Sequence, residues 1–209
     1  MPITNDDVHA WLQAFAARVK EEKSYLTRLD SAIGDGDHGQ NLNRGLQAAL
    51  DRVGNEDDIA TTFRNTAMAL ISKTGGASGP LYGTFFMDAG KAAPDNDTLT
   101  LHDWAEMMRA GLGGVVRRGK AETGEKTMLD SITPAVESLE QAAQAERDLR
   151  EALLAAATAA EEGMKATIPM IATKGRASYL GERSKGHQDP GATSSYYLFE
   201  AAAKTLGNG

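Results

Sequence analysis

The chain has 209 residues, with 22 Lys and Arg against 29 Asp and Glu for a formal net charge of −7, and 41% of it is hydrophobic. That composition is globular and excludes a disordered or fibrous chain. The absence of cysteine excludes disulfides, thiolate metal sites and cysteine nucleophiles together, and the acidic balance argues against a nucleic-acid surface.

In residues 6–22, Val8, Trp11, Leu12, Phe15 and Val19 fall at the spacing of one helical stripe. A second helix is expected over about 40–53, on Leu42, Leu46, Leu50 and Val53, with Gly54 ending it. A third starts near Asp58 and is expected to bury Ile59, Phe63, Ala67, Leu70 and Ile71 before Gly75 and Gly76 stop it. Pro80 opens a fourth, because its missing N–H costs nothing in a first turn. Thr100 with Asp103 resembles a capping pair at the head of a fifth helix carrying Leu101, Trp104, Met108, Leu112 and Val115. Two Ala-rich helices follow over about 127–146 and 149–166, and a last one over about 191–206 carries Tyr197, Leu198 and Ala201.

The count is eight helices, and no segment alternates polar and apolar residues as a strand would. The expected fold is therefore all-α. With no internal repeat and no Pro- or Ser-rich linker, one domain over 1–209 is expected. No apolar run approaches the roughly 20 residues of a bilayer helix, and the opening residues lack the basic and apolar regions of a signal peptide. A cytoplasmic protein with no membrane partner is expected.

Four segments between the helices are too rich in Gly, Asp and small polar residues to be plain connectors. The first contains Asp30 and Gly34-Asp35-Gly36-Asp37-His38-Gly39, three carboxylates in eight residues. Such like charges are tolerable beside a hard cation, and carboxylates without softer ligands point to Mg²⁺ or Ca²⁺. Mg²⁺ commonly completes its shell with substrate phosphates, which suggests phosphate chemistry; a solvated turn with Asp as helix cap is the alternative.

The second segment, Thr74-Gly75-Gly76-Ala77-Ser78-Gly79-Pro80, runs straight into a helix, so its exposed N–H groups suit an anion. It is neither a Walker A loop nor a dinucleotide fingerprint, and a flexible connector remains the other reading. The third, 117–130, places several cations and two glycines at a helix junction, where a solvated linker is the plainer reading. The fourth, 174–192, is long for a structureless loop and carries cations suited to phosphate oxygens. His38 and His187 lie in these segments, but a lone histidine more often makes a structural hydrogen bond than chemistry. Trp11, Phe85, Phe86 and Trp104 fall on apolar stripes and read as core.

Taken in order, Asp30 with Gly34 to Gly39, Gly75-Gly76-Ala77-Ser78-Gly79-Pro80, Gly119-Lys120-Ala121, and Gly175 to Arg183 through Asp189-Pro190-Gly191-Ala192-Thr193 form a set of motifs. With them the chain resembles the DhaL family, the nucleotide-binding subunits of phosphotransferase-system-dependent dihydroxyacetone kinases, from Tyr25 to Thr193.

The resemblance implies a barrel of eight antiparallel helices with ADP or ATP and two Mg²⁺ held in the loops at one end. It implies that Asp30, Asp35 and Asp37 bind Mg²⁺. It further implies that His38, Gly39, Gln40, Asn41, Ala77 and Ser78 contact phosphates, and that Gly119, Met128, Arg176, Asp189, Pro190 and Gly191 surround the nucleotide. Catalytic roles fall to Arg176, which stabilises charge on the moving phosphoryl group, and to His38. ATP-dependent relatives tend to have Cys where this chain has His38, which favours the phosphotransferase-linked type.

The implied partners are a K subunit that holds dihydroxyacetone on a histidine and an M subunit that recharges bound ADP from phosphohistidine. Two other readings stay open: an ATP-consuming kinase subunit for another substrate, and a nucleotide-loaded regulator that docks on a transcription factor.

Overall fold

The computed structural model describes residues 2–54 and 57–206; the expected span 1–209 includes a few positions outside them. The elements in order are β1 (Ile3–Thr4), α1 (Asn5–Glu21), α2 (Lys23–Ile33), α3 (His38–Arg52), α4 (Ile59–Lys73), α5 (Ser78–Lys91), β2 (Thr98–Leu99), α6 (Leu101–Gly119), α7 (Leu129–Gln144), α8 (Leu149–Ala166), a 3₁₀ stretch (Arg176–Ser184) and α9 (Pro190–Thr205).

The fold is mostly helical, as expected, but the described residues form nine α-helices rather than eight. The additional one arises at Glu22, which serves both as the end of α1 and as the residue before α2, at φ −91° and ψ 11°. The apolar stripe of α1 gives no sign of it, because α2 buries only Leu26, Asp30 and Ile33. The expectation of no strands is also corrected. Ile3 pairs with Leu99 and Thr4 with Thr98 in an antiparallel two-residue ladder, too short for any alternation to register.

Each short strand runs into a capping box. Thr4 with Asp7 starts α1, and Thr100 with Asp103 starts α6, where the Thr hydroxyl accepts from the Asp N–H and the Asp carboxylate accepts from the Thr N–H. Asp58, Asp148 and Asp189 cap α4, α8 and α9 in the simpler way. α3 and α5 begin two residues before the apolar pattern suggests, so His38, Gly39, Ser78 and Gly79 are first-turn residues. Pro80 still sits in a first turn, where its missing donor leaves no bond unmade. Ile71 is 49% exposed and lies outside the expected stripe.

The helices from α3 to α9 each pack on the next; α9 packs on α1 and α1 on α3, so the ring closes, while α2 lies against α3 and α9. One continuous core runs through it. Trp11 sits among Phe63, Phe86 and Trp104 at centroid distances of 5.5, 5.7 and 5.0 Å, and its indole N–H donates to the Leu198 carbonyl at 3.0 Å. That single side chain joins α1, α4, α5, α6 and α9. Packing of this kind holds the helix ends in register. Every second connection in the ring, namely 34–37, 74–77, 120–128 and 167–189, then contributes to one shared end.

Candidate nucleotide and metal site

The shared end holds a cavity of about 430 Å³ bounded by all four of those connections. On one wall, Asp30, Asp35 and Asp37 each place a carboxylate oxygen within 4.8 Å of the other two. Local backbone geometry produces this cluster. Asp30, in the last turn of α2, accepts the N–H groups of Asp37 and His38 on Oδ2 at 2.8 and 3.0 Å, which folds the 34–37 turn back onto it. Gly34 has to be glycine there, because a Cβ would lie 2.1 Å from Asp30 Oδ1, and Gly36 turns at φ +75°.

Arg176, from the fourth connection, pairs with Asp35 Oδ2 at 3.0 Å. Three carboxylates against one guanidinium leave two negative charges uncompensated. An all-oxygen donor set of this kind suits a hard divalent cation such as Mg²⁺.

Beside the cluster, His38 is buried between two hydroxyls, with Nδ1 2.9 Å from Ser78 Oγ and Nε2 2.9 Å from Ser194 Oγ. Burial pushes its imidazole down to about 4, with the Asp30 charge opposing the shift, so the ring is neutral at neutral pH. Ser194 also meets the phenol of Tyr82 at 2.7 Å, and burial pushes that phenol up to about 12.

The opposite wall carries Asp189, whose carboxylate accepts the Ala192 N–H at 2.7 Å as the cap of α9. Burial raises it to about 7, against the lowering effect of that N–H. Behind it, Lys126 is fully buried at φ +63° and donates from Nζ to the carbonyls of Thr167 at 2.7 Å, Met170 at 3.1 Å and His187. Burial lowers its pKa, and the neighbouring Asp189 and Asp130 oppose the shift. The cavity opens into a second, apolar recess of about 500 Å³ lined by Pro80, Leu81, Val115, Ala121, Met128 and Leu129.

The structure therefore brings together most of the residues singled out in the sequence. Asp30, Asp35, Asp37, His38, Ala77, Ser78, Met128, Arg176, Asp189, Pro190 and Gly191 line the main cavity, and Gly119 lines the recess. Gly39, Gln40 and Asn41 line neither. Gly39 allows α3 to approach the Lys23 carbonyl, Gln40 is exposed, and Asn41 is buried against Gly75 and accepts from Arg44 at 2.7 Å. His187 is exposed and contributes only its carbonyl.

The linker reading of the third segment is corrected, because Lys126, Thr127 and Met128 are wall residues. Sequence reasoning passed over Tyr82, Lys126 and Ser194. Tyr82 stands four residues after Ser78, on the same helix face, and that spacing was the one available signal.

Residues 32–204 match the family described as DAK2 domain. The chain is 46% identical over 205 residues to the "PEP-dependent dihydroxyacetone kinase, ADP-binding subunit DhaL" of Escherichia coli (strain K12), covering 97% of this chain and 98% of that one. It is 44% identical to the "PTS-dependent dihydroxyacetone kinase, ADP-binding subunit DhaL" of Lactococcus lactis subsp. lactis (strain IL1403), covering 98% and 99%. Among solved structures, the dihydroxyacetone kinase of C. freundii in complex with AMP-PNP and Mg²⁺ superposes at a TM-score of 0.73 with 27% identity, over 98% of this chain and 34% of that chain. The chain thus spans about a third of that kinase's length. No helix among the described residues is long and apolar enough to cross a membrane.

Proposed function

From the premise that the chain belongs to the DAK2 domain family, we propose that it is the nucleotide-carrying subunit of a phosphotransferase-dependent dihydroxyacetone kinase. In this reading it passes a phosphoryl group from bound ATP to dihydroxyacetone held on a K subunit. The observation that carries the reading is the continuity of one cavity, with three carboxylates within 4.8 Å at one end and an apolar recess at the other. A nucleoside diphosphate has that same division, charged and cation-bound at one end and flat and apolar at the other.

In this reading Asp30, Asp35 and Asp37 hold two Mg²⁺, which when bound neutralise phosphate charge and polarise the phosphoryl group. The first turns of α3 and α5 offer N–H groups to the phosphates, with Gly39 and Gln40 contributing through the α3 backbone and Ala77 and Ser78 through that of α5, while Asn41, whose N–H donates to the Asp37 carbonyl at 2.9 Å, contributes through its place behind that turn. Met128 and Gly119 border the base, and Asp189, Pro190 and Gly191 close the wall beside it. Arg176 stands 3.0 Å from Asp35 on an exposed stem and is placed to follow the moving phosphoryl group.

His38 acts here as a neutral hydrogen-bonding group, since a ring held near 4 does not shuttle protons efficiently at neutral pH. The closed ring of α1 and α3–α9 is read as the eight-helix barrel, with α2 packed against α3 and α9.

In this reading the K subunit holds the triose covalently on a histidine, so no residue of this chain needs to bind it. An M subunit bearing phosphohistidine then recharges ADP in place, and a transcriptional regulator is a further partner for the same open end. The test is reconstitution. Transfer to dihydroxyacetone should require this chain, the K subunit and the phosphohistidine donor together. Full steady turnover on free ATP without that donor would replace this reading with an ATP-consuming kinase subunit built on the same site.

A further inference from the structure

Ser78, His38, Ser194, Tyr82 and Ser195 form an unbroken line of hydrogen bonds from the cavity wall into the core. Ser78 Oγ lies 2.9 Å from His38 Nδ1, His38 Nε2 2.9 Å from Ser194 Oγ, Ser194 Oγ 2.7 Å from the Tyr82 hydroxyl, and that hydroxyl 3.1 Å from Ser195 Oγ. Ser194 Oγ also lies 3.1 Å from the Gly191 carbonyl. A neutral imidazole has one N–H, so it donates on one side and accepts on the other. Proton counting along the line then leaves two settings.

In the first setting the His38 proton is on Nε2 and is donated to Ser194. Ser194 donates onward to the Gly191 carbonyl and accepts from Tyr82, while Nδ1 accepts from the Ser78 hydroxyl. Every contact is made, and Ser78 has no proton left for the cavity. In the second setting the proton is on Nδ1 and is donated to Ser78. Ser194 turns its hydroxyl from Gly191 to Nε2, and Tyr82 continues to donate to Ser194. The Ser78 O–H is then free to point into the cavity.

The first setting makes one more internal bond and suits the chain without an anion. The second gives up the longest contact of Ser194 and gains a charge-assisted bond to an anionic oxygen, a class about twice as strong as a neutral pair.

We infer that a phosphate-bearing ligand in the cavity moves the His38 proton from Nε2 to Nδ1, turning Ser78 into a phosphate donor, with Ser194 as the positioning residue that permits the change. One proton leaves Nε2 and one arrives at Nδ1, so the ring stays neutral and the charge of the chain is unchanged. The inference rests on the nucleotide reading above and adds a selective element to it. Ser78 is a donor only when the ligand offers an acceptor, so nucleosides without phosphate leave the line in its first setting.

The test is ¹⁵N long-range correlation spectroscopy of the full-length, ¹⁵N-histidine-labelled chain, with the His38 signals identified against the single variants His9→Gln, His102→Gln and His187→Gln. Spectra are taken alone, with ADP and Mg²⁺, and with pyrophosphate and Mg²⁺, while calorimetry measures binding in parallel. The expected result is a protonated Nε2 in the free chain and a protonated Nδ1 with either ligand. In Ser78→Ala the tautomer should stay on Nε2, and ADP affinity should fall about tenfold or more.

ADP that binds by calorimetry without moving the proton overturns the inference and leaves the nucleotide reading standing. A switch driven by pyrophosphate in a chain that does not bind ADP has the reverse meaning. If neither ligand binds, both are wrong. A switch that persists in Ser78→Ala, or in Ser194→Ala where no hydroxyl remains to turn to Nε2, removes the role given to the line.

Discussion

Arg176 Nη2 lies 3.0 Å from Asp35 Oδ2, so the fourth connection of the ring is latched across the cavity onto the acidic cluster of the first. The guanidinium is more than half exposed, and an exposed pair of this kind is worth little to stability. Its value lies in placing a planar cation where phosphate oxygens have to arrive. Arg176→Ala should lower the transfer rate by about two or more powers of ten, in the range of arginine contributions to phosphoryl transfer, and leave the thermal midpoint nearly unchanged. A variant that transfers at the parent rate would reduce Arg176 to a ground-state contact.

The acidic cluster itself makes the second prediction. With Asp35→Asn and Asp37→Asn together, the donor set falls to one carboxylate, and the charge that offsets the phosphates can no longer be held. Nucleotide should leave while the helical content survives, because the Asp35 carboxylate meets the fold through the exposed Arg176 pair and Asp37 makes no side-chain cap bond at the head of α3. Stoichiometric ADP released from the denatured double variant would show that these carboxylates do not anchor it. Chelation of the parent chain should give the same loss.

Much of this site was readable in the sequence because its parts are local. Asp30, Asp35 and Asp37 stand within eight residues, and the glycines that let them converge are their direct neighbours. Helix stripes and the Thr100 and Asp103 cap are likewise short-range signals, and they gave the fold class. What stayed hidden depends on distant chain segments or on a handful of residues. The α1 to α2 break at Glu22 changes no periodicity, and the Ile3 and Leu99 pairing spans two residues per strand. Lys126 looked like one more solvent cation, since its carbonyl partners lie more than forty residues away. Tyr82 and Ser194 are 112 positions apart and meet only because α5 and α9 both begin at the cavity.

Lys126 carries the third prediction. Its buried ammonium is bonded to carbonyls on both sides of the 171–186 excursion, and the Gly186 N–H closes the same base by donating to Ile168 at 2.7 Å. Lys126→Met keeps the volume but leaves those carbonyls without their donor. Loss of a buried charge-assisted set of this kind should lower stability by about 2–4 kcal/mol. The excursion that carries Arg176 should then become more sensitive to limited proteolysis than the rest of the chain. An unchanged thermal midpoint with an unchanged cleavage pattern would mean that the base is held by the backbone alone.

Asp189 provides the last prediction, and its sign follows from linkage. Burial, the first cause, raises its folded-state pKa to about 7 from an ordinary value of 3.8. Between those two values the unfolded chain has already lost the proton that the folded chain still binds, so this group opposes folding increasingly as pH rises from about 4 to about 7 and adds no further slope above that. Asp189→Asn removes the charge and keeps an oxygen to accept the Ala192 N–H that caps α9. His38 acts in the opposite direction, because its depressed pKa makes stability rise with pH between about 4 and 6.5. For that reason the comparison of variant with parent, and not the parent's own curve, isolates Asp189. The thermal midpoint of Asp189→Asn minus that of the parent should climb as pH is raised from 4 to 7 and then level off. A difference that stays flat across that range, or that falls with pH, would show that Asp189 is ionised in the folded chain at low pH, held there by Lys126 and the α9 N–H groups.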